Sequence, residues 1–330
     1  VSSTANAQPI VAVDGATGYL GNHLVARLRS AGLTVYAIVH PRARAADLEF
    51  LKSTGAKVIE ASLKGKRGPS AALTEALKGV DIAVHLIGSI APRKGEKLAD
   101  LHGNQTANLV AAAKAAGVKK LVQVTALGAA KNASNSYHRT KWQAEEYVRN
   151  SGLRWVIFRP SLIVGKQVGN RDSKLVSRYL DLIGRRSTIP VIGKGSNRLQ
   201  PVFVGDLVTA LEKAICETRF DNNAYEIGGD EILSMRQLVE KLMVARKANK
   251  KISGVKPLAA KMLAAVCETV QTVPLISRDQ IKLSMSDNVC ANNSLRTVFG
   301  IAPTDVETAL AAYRKENKVG GALEGSGHRG

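Results

Sequence analysis

A doubly wound α/β fold, in which a parallel sheet is covered by helices on both faces and joined to a smaller, mostly helical C-terminal lobe, is what the sequence predicts. Three observations predict it. Apolar runs of strand length alternate with amphipathic helical stretches through the first half of the chain, a glycine-rich turn joins the first run to the first helix, and the alternation weakens beyond Pro160. Strict alternation lays successive strands side by side and parallel, and such a sheet needs both faces covered.

Taken in order, Pro9-Ile10-Val11-Ala12-Val13 is a short apolar run stopped by Gly15, and 20–29 then sets Leu20, Leu24, Val25 and Leu28 on one helical face. A second strand is expected over 35–39, a helix over 45–51, a third strand over 57–61 and a helix over 70–77. The run Ile82-Ala83-Val84-His85-Leu86-Ile87 reads as a fourth strand. A helix over 104–116 is closed by Gly117, and 120–125 supplies a fifth strand. A helix over 137–151 ends near Gly152, and 155–158 forms a sixth strand that stops at Pro160. The expected organisation is a dinucleotide-binding domain over 1–165, with 200–230 returning to it. A smaller basic lobe takes 166–199 and 231–319, and 320–330, rich in Gly and Ser, forms a flexible tail.

Composition narrows the function. A chain of 330 residues, 45% hydrophobic, can bury a large core, and no apolar run reaches the roughly 20 residues that a spanning helix needs. Cys216, Cys267 and Cys290 are odd in number and lack paired spacing, so neither a disulfide framework nor a zinc site is expected, and the default is a reducing compartment. The six histidines show no ligand spacing either, so no metal is expected. A net charge of +20 with a pI near 10.0 calls for an anionic neighbour: nucleic acid, a lipid surface or acidic subunits. Aromatics at 4%, not interleaved with the basic residues, argue against nucleic acid. The chain begins at Val1, which suits a basic mature protein whose organelle-targeting leader has been removed, and equally a trimmed chain end.

The loop Gly15-Ala16-Thr17-Gly18-Tyr19-Leu20-Gly21 carries the clearest chemistry. Its three glycines permit a tight turn, a close backbone approach to a pyrophosphate and close helix-on-strand packing, while the amides opening the helix form an anion site. After the second strand, where a carboxylate would bond both ribose hydroxyls, stands His40-Pro41-Arg42-Ala43-Arg44. No carboxylate follows until Asp47, and Arg42 and Arg44 suit a 2′-phosphate, so NADP or NADPH is expected; the plainer reading leaves both arginines solvated. Tyr137 and Lys141, at i and i+4, share a helix face, where an ammonium can lower the phenol pKa and make it a proton donor or acceptor beside a carbonyl. Thr125, ending the fifth strand, is a candidate hydrogen-bonding partner for a substrate oxygen.

The glycine loop, Val122-Gln123-Val124-Thr125, Tyr137-x-x-x-Lys141 and the strand Trp155-Val156-Ile157-Phe158 running into Arg159-Pro160-Ser161 together resemble the extended, atypical short-chain dehydrogenase/reductases of Rossmann fold. Three segments are most similar to the branch containing the Rossmann-fold accessory subunit of respiratory complex I and its bacterial relatives. They are His85-Leu86-Ile87-Gly88, Tyr137-His138-Arg139-Thr140-Lys141-Trp142-Gln143-Ala144-Glu145, and Pro190-Val191-Ile192-Gly193-Lys194-Gly195 continuing to Gln200-Pro201-Val202-Phe203-Val204-Gly205-Asp206-Leu207. The resemblance implies that Gly15, Gly18 and Gly21 hold pyrophosphate, that Tyr137 and Lys141 contact nicotinamide and its ribose, and that Pro160 and Ser161 line the nicotinamide pocket. It departs from the family at Ser62, where relatives have an adenine-recognising Asp, and at Ala126 and Leu127, where active members are rich in Ser.

Between Lys241 and Lys261 stand Arg246, Lys247, Lys250, Lys251 and Lys256 with no acidic residue, followed by a helical apolar stripe of Leu258, Met262, Leu263, Val266, Val270 and Val273. Segment 241–275 is therefore a candidate contact for anionic lipid or an acidic partner, against the plainer reading of a helix packed on its own domain. Two functions fit these features. One is a cofactor-holding subunit of a respiratory complex, peripheral on the matrix side of the mitochondrial inner membrane, with bacterial cytoplasm or plastid as the alternative setting. The other is a free NADPH-dependent reductase or epimerase for a small carbonyl or sugar.

Overall fold

The computed structural model describes residues 8–65, 67–68, 70–90, 95–270 and 277–313. The expected flexible tail, 320–330, lies outside them. The central sheet contains β1 (Ile10–Asp14), β2 (Thr34–Val39), β3 (Lys57–Glu60), β4 (Ile82–His85), β5 (Lys120–Val124), β6 (Arg154–Pro160) and β7 (Asn223–Ile227). All seven are parallel, in the order β7-β6-β5-β4-β1-β2-β3. The chain starts in the middle of the sheet, runs out to β3 and returns across β1 to β4, so loops after β1 and β4 diverge from a shared crevice, where such sheets bind ligands.

Helices α1 (Tyr19–Ser30), α2 (Ala45–Ser53), α3 (Ala71–Ala76), α4 (Gln105–Ala116), α5 (Ser136–Arg149), α6 (Lys174–Arg185), α7 (Val204–Cys216), α8 (Met235–Ala245) and α9 (Pro257–Val270) follow the strands. One face of the sheet buries Val11, Val13, Val84, Val122 and Phe158 against Leu24, Leu28, Leu207 and Leu211 of α1 and α7. The other buries Ala83, Leu121 and Ile157 against Leu73, Leu109, Ala113 and Val148 of α3, α4 and α5. Residue 223 returns the chain to the sheet, and Leu295 and Phe299 also pack into the first core. A separate cluster joins α6 and α8 through Val176, Leu180, Ile183, Leu238, Val239 and Leu242, closed by Val306 and Leu310.

Two boundaries differ from the sequence pattern for identifiable reasons. The fourth strand ends at His85 because the amides of Leu86 and Ile87 donate to Asp14 Oδ1, at 3.1 and 3.3 Å, instead of continuing the ladder. The sixth extends to Pro160, which pairs with Ile227 and whose carbonyl accepts from Leu127. A π-helical turn, Ala99–Asn104, precedes α4 where a plain helix start is expected. Among the described residues no helix is long and apolar enough to cross a membrane.

Candidate dinucleotide site

β1 delivers its last residue, Asp14, to the crevice, and the chain turns sharply at Gly15, whose φ of 64° is the left-handed region that glycine tolerates. The turn is closed by the Gly18 amide donating to the Gly15 carbonyl at 2.8 Å. A Cβ on Gly15 would press on the Leu86 and Ile87 backbone at 3.2 Å, and one on Gly21 would fall 2.8 Å from Ala16 Cα and carbonyl oxygen. The two glycines therefore bring the loop against the end of β4 and α1 against the loop. Asn22 secures the arrangement by donating from Nδ2 to the Ala16 carbonyl at 2.7 Å. Gly18 caps α1 without a side-chain acceptor, and no acidic residue lies in the first turn, so the amides opening α1 keep their affinity for an anion.

The residues flanking this loop divide into available and committed groups. Arg42 is exposed and forms no ion pair among the described residues; its amide donates to His40 Nδ1 at 3.0 Å. Arg44 is bound through Nε and Nη2 to both oxygens of Asp47, at 3.0 and 2.8 Å. Arg171 reaches the same buried carboxylate from the loop before α6, at 2.8 Å. The Arg44 hydrogen bond first, with Arg171 adding, holds the Asp47 carboxyl below its usual range. The expected free Arg44 is thus a strut, and Asp47 is unavailable to a ribose. Tyr19 donates its hydroxyl to the Gly165 carbonyl at 2.6 Å, and Leu20 packs against the core.

Across the crevice, the loop after β4 meets α5. Lys141 is buried, and its Nζ lies 3.4 Å from the Ile87 carbonyl. A Cβ on Gly88 would sit 2.5 Å from that ammonium, so Gly88 makes room for Lys141. Burial draws the Lys141 ammonium down to about 8 against the opposing pull of Glu145 and Asp14. Tyr137 lies edge-on to His102, ring centroids 5.5 Å apart. Burial pushes its phenol up to about 12, opposite to the lowered pKa expected from a neighbouring ammonium.

The sequence reading missed a layer of buried polar residues behind these groups. Asp14 Oδ2 lies 2.6 Å from His85 Nδ1, and His85 Nε2 lies 2.8 Å from Thr106 Oγ1. The π-helical turn places His102 between the Ser89 amide, which donates to its Nε2 at 3.4 Å, and Thr140 Oγ1, 2.8 Å from Nδ1. Burial first, then Lys141 and His85, lower His102 to about 2, so its ring stays neutral. Glu145, fully buried, accepts from Thr125 Oγ1 at 2.7 Å, Arg149 Nη2 at 2.9 Å, and Arg159 Nε and Nη2 at 2.9 and 2.5 Å. Thr125 thus spends its proton on Glu145, a correction to its expected donation to a substrate. Ser161 directs its hydroxyl to the Asn288 carbonyl and side-chain oxygens, at 2.9 and 2.6 Å, and Pro160 completes β6. The structure therefore brings the glycine turn of Gly15, Gly18 and Gly21 against Leu86, sets Gly88 against Lys141 with Tyr137 one turn earlier on α5, and turns Arg44, Thr125 and the Ser161 hydroxyl to structural duty.

These observations fit a dinucleotide: a glycine cradle that a Cβ would fill, an uncapped helix N-terminus, and a tyrosine–lysine pair across the crevice. The family profile described as NAD(P)H-binding matches residues 15–185. The chain is 25% identical over 297 residues to "NADH dehydrogenase [ubiquinone] 1 alpha subcomplex subunit 9, mitochondrial" of Arabidopsis thaliana, covering 87% of this chain and 72% of that protein. It is 26% identical over 309 residues to the mitochondrial "NADH-ubiquinone oxidoreductase 40 kDa subunit" of Neurospora crassa, covering 91% and 77%. In fold it is similar to an NADPH-dependent quinone oxidoreductase of Escherichia coli solved with NADPH. The TM-score is 0.69, with 21% identity and coverage of 92% of this chain and 99% of that one.

Proposed function

The chain belongs to the NAD(P)H-binding family, matched over residues 15–185, and from that premise we propose that it is an NADPH-holding accessory subunit of mitochondrial NADH:ubiquinone oxidoreductase. The observation that carries this reading is similarity along 87 to 91% of the chain to two subunits of that enzyme. In this reading the protein sits peripherally on the matrix side of the inner membrane, among other subunits of the complex, with the bacterial cytoplasm or a plastid as the alternative setting.

Gly15, Gly18 and Gly21 receive the pyrophosphate with the α1 amides, and Thr17 and the backbone of Tyr19 and Leu20 complete that cradle. Arg42 meets the 2′-phosphate, beside His40, while Arg44 fixes the loop through Asp47. Leu86 and Gly88 border the nicotinamide side with Pro160 and Ser161, and Lys141 and Tyr137 hold its ribose. When bound, the nicotinamide would supply a hydride. The surroundings supply little to use it: Thr125 is bonded to Glu145, and burial holds the Tyr137 proton in place. A ligand that binds only the folded state stabilises that state, so a tight site can maintain a docking surface without turnover.

A second reading, a free NADPH-dependent reductase or epimerase of a small carbonyl or sugar, rests on Tyr137 and Lys141, one turn apart on α5 as a proton donor and its ammonium partner would require. Purification from native membranes distinguishes the two. Recovery within a large membrane complex supports the subunit; a soluble monomer or dimer that consumes NADPH overturns it.

A further inference from the structure

Helix α9 carries its side chains in an order opposite to that of its neighbours. α6 and α8 bury Leu180, Ile183, Leu238 and Leu242, as helices of a packed lobe do. Among the described side chains α9 buries small residues, Ala260, Ala264 and Cys267, with Ile281 completing the contact. Its large apolar residues face solvent: Leu258 is 72% exposed, Met262 66%, Leu263 57% and Val266 58%. At about 100° per residue these four span an arc of roughly 140° on the helix surface. On the same projection exposed Lys256, which directly precedes the helix, falls about 20° beyond one edge and exposed Lys261 about 60° beyond the other.

We propose that this face of α9 lies on an anionic lipid surface. Charge complementarity chooses the occupant. Lys247, Lys251, Arg278 and Lys282 are also exposed on the elements leading into α9 and packed against it. The nearby acids are few: Glu268 is bound to Arg278 at 2.7 Å, and Asp279 is the other carboxylate on the adjoining helix. Lysines at the margin can lay their stems along the apolar face and keep their ammonium groups at headgroup level. The composition of the face is that of a lipid contact, not of a protein hot spot, which is enriched in Trp, Tyr and Arg and poor in Leu and Val. Val270 and Val273, also assigned to the stripe, fall outside the side chains described.

The inference rests on the membrane-associated reading above for its setting, but its test is separate from cofactor binding. The purified full chain is sedimented with vesicles of phosphatidylcholine alone and of phosphatidylcholine mixed with phosphatidylglycerol. Binding to the mixed vesicles is expected to exceed binding to neutral ones by at least about tenfold at low salt and to fall at physiological salt. Replacing Leu258, Met262, Leu263 and Val266 together by Ser should remove at least about tenfold of that binding with the melting transition unchanged, since these side chains leave the core intact. Lys256→Glu with Lys261→Glu should abolish the preference for anionic vesicles. Equal sedimentation with both vesicles, a serine variant that binds like the parent, or concentration-dependent self-association abolished by the serine changes in place of vesicle binding would overturn the proposal. Loss of NADPH binding with vesicle binding intact would instead overturn the reading of the crevice.

Discussion

Arg42 and Arg44 stand two residues apart in the same loop, and the chain uses them differently. Arg44 closes a bidentate pair with Asp47, whereas the Arg42 guanidinium is exposed and outside any ion pair among the described residues. Arg42→Ala should therefore weaken NADPH about tenfold and leave NADH nearly unchanged, as competitive titrations would report. Arg44→Ala should lower thermal stability more than it alters that ratio. The folded-state pKa of Lys141, about 8, lies below the ordinary 10.5, so between these values the unfolded chain holds more protons, and stability rises with pH across that window. Below about pH 8 the full penalty applies, about 3 kcal/mol. Lys141→Met should then stabilise the cofactor-free protein at pH 7, flatten the pH dependence of denaturant midpoints from 8 to 10.5, and weaken dinucleotide binding. His102, held neutral by burial, should show no imidazole titration by NMR above pH 5. The arginines and the tyrosine–lysine pair were legible because sequence spacing places them. The Arg44–Asp47 pair, three residues apart, was open to the same reading, whereas Arg171 on Asp47 and Glu145 on Thr125 lie 124 and 20 residues from their partners and meet only through the fold.

At the level of elements, strands and helices were readable from apolar period, and the errors sit where a side chain intervenes. The Asp14 carboxylate cuts β4 short, and nothing in the run Ile82 to Ile87 signals it. His85 lay in plain view, but its partner becomes apparent only when β1 and β4 are neighbours and Asp14 is paired with His85 in register. Spacing did hold one overlooked cue: Tyr137, Lys141, Glu145 and Arg149 recur every four residues, a single face of α5 on which Glu145 serves as the central acceptor. Glu145→Gln should destabilise by about 3 kcal/mol in urea unfolding, because it leaves Arg159 without its charged partner. At the glycine turn, Gly21→Ala places a methyl against the Gly15 carbonyl and Ala16, and is expected to cost about 2 to 3 kcal/mol and most of the dinucleotide affinity. An unchanged midpoint for that variant would show that helix and loop do not pack as described.

For the molecule as a whole, the doubly wound plan was readable because alternation constrains topology, while the positions of residues beyond 230 were not. Leu295 and Phe299 enter the core beneath the sheet, and Asn288 ties the late chain to Ser161, contacts that local period does not encode. The excess of basic residues was evident as a number; its direction became meaningful once α9 was seen with its large apolar side chains outward. The central claim is that the crevice after β1 and β4 holds NADPH as a resident ligand. Calorimetric titration of the purified chain with NADPH and with NADH, followed by assay of the recovered cofactor, tests it most directly. One site per chain is expected, tighter for NADPH by at least about tenfold, with the cofactor recovered still reduced. A preference for NADH, or no saturable binding of either, would contradict it.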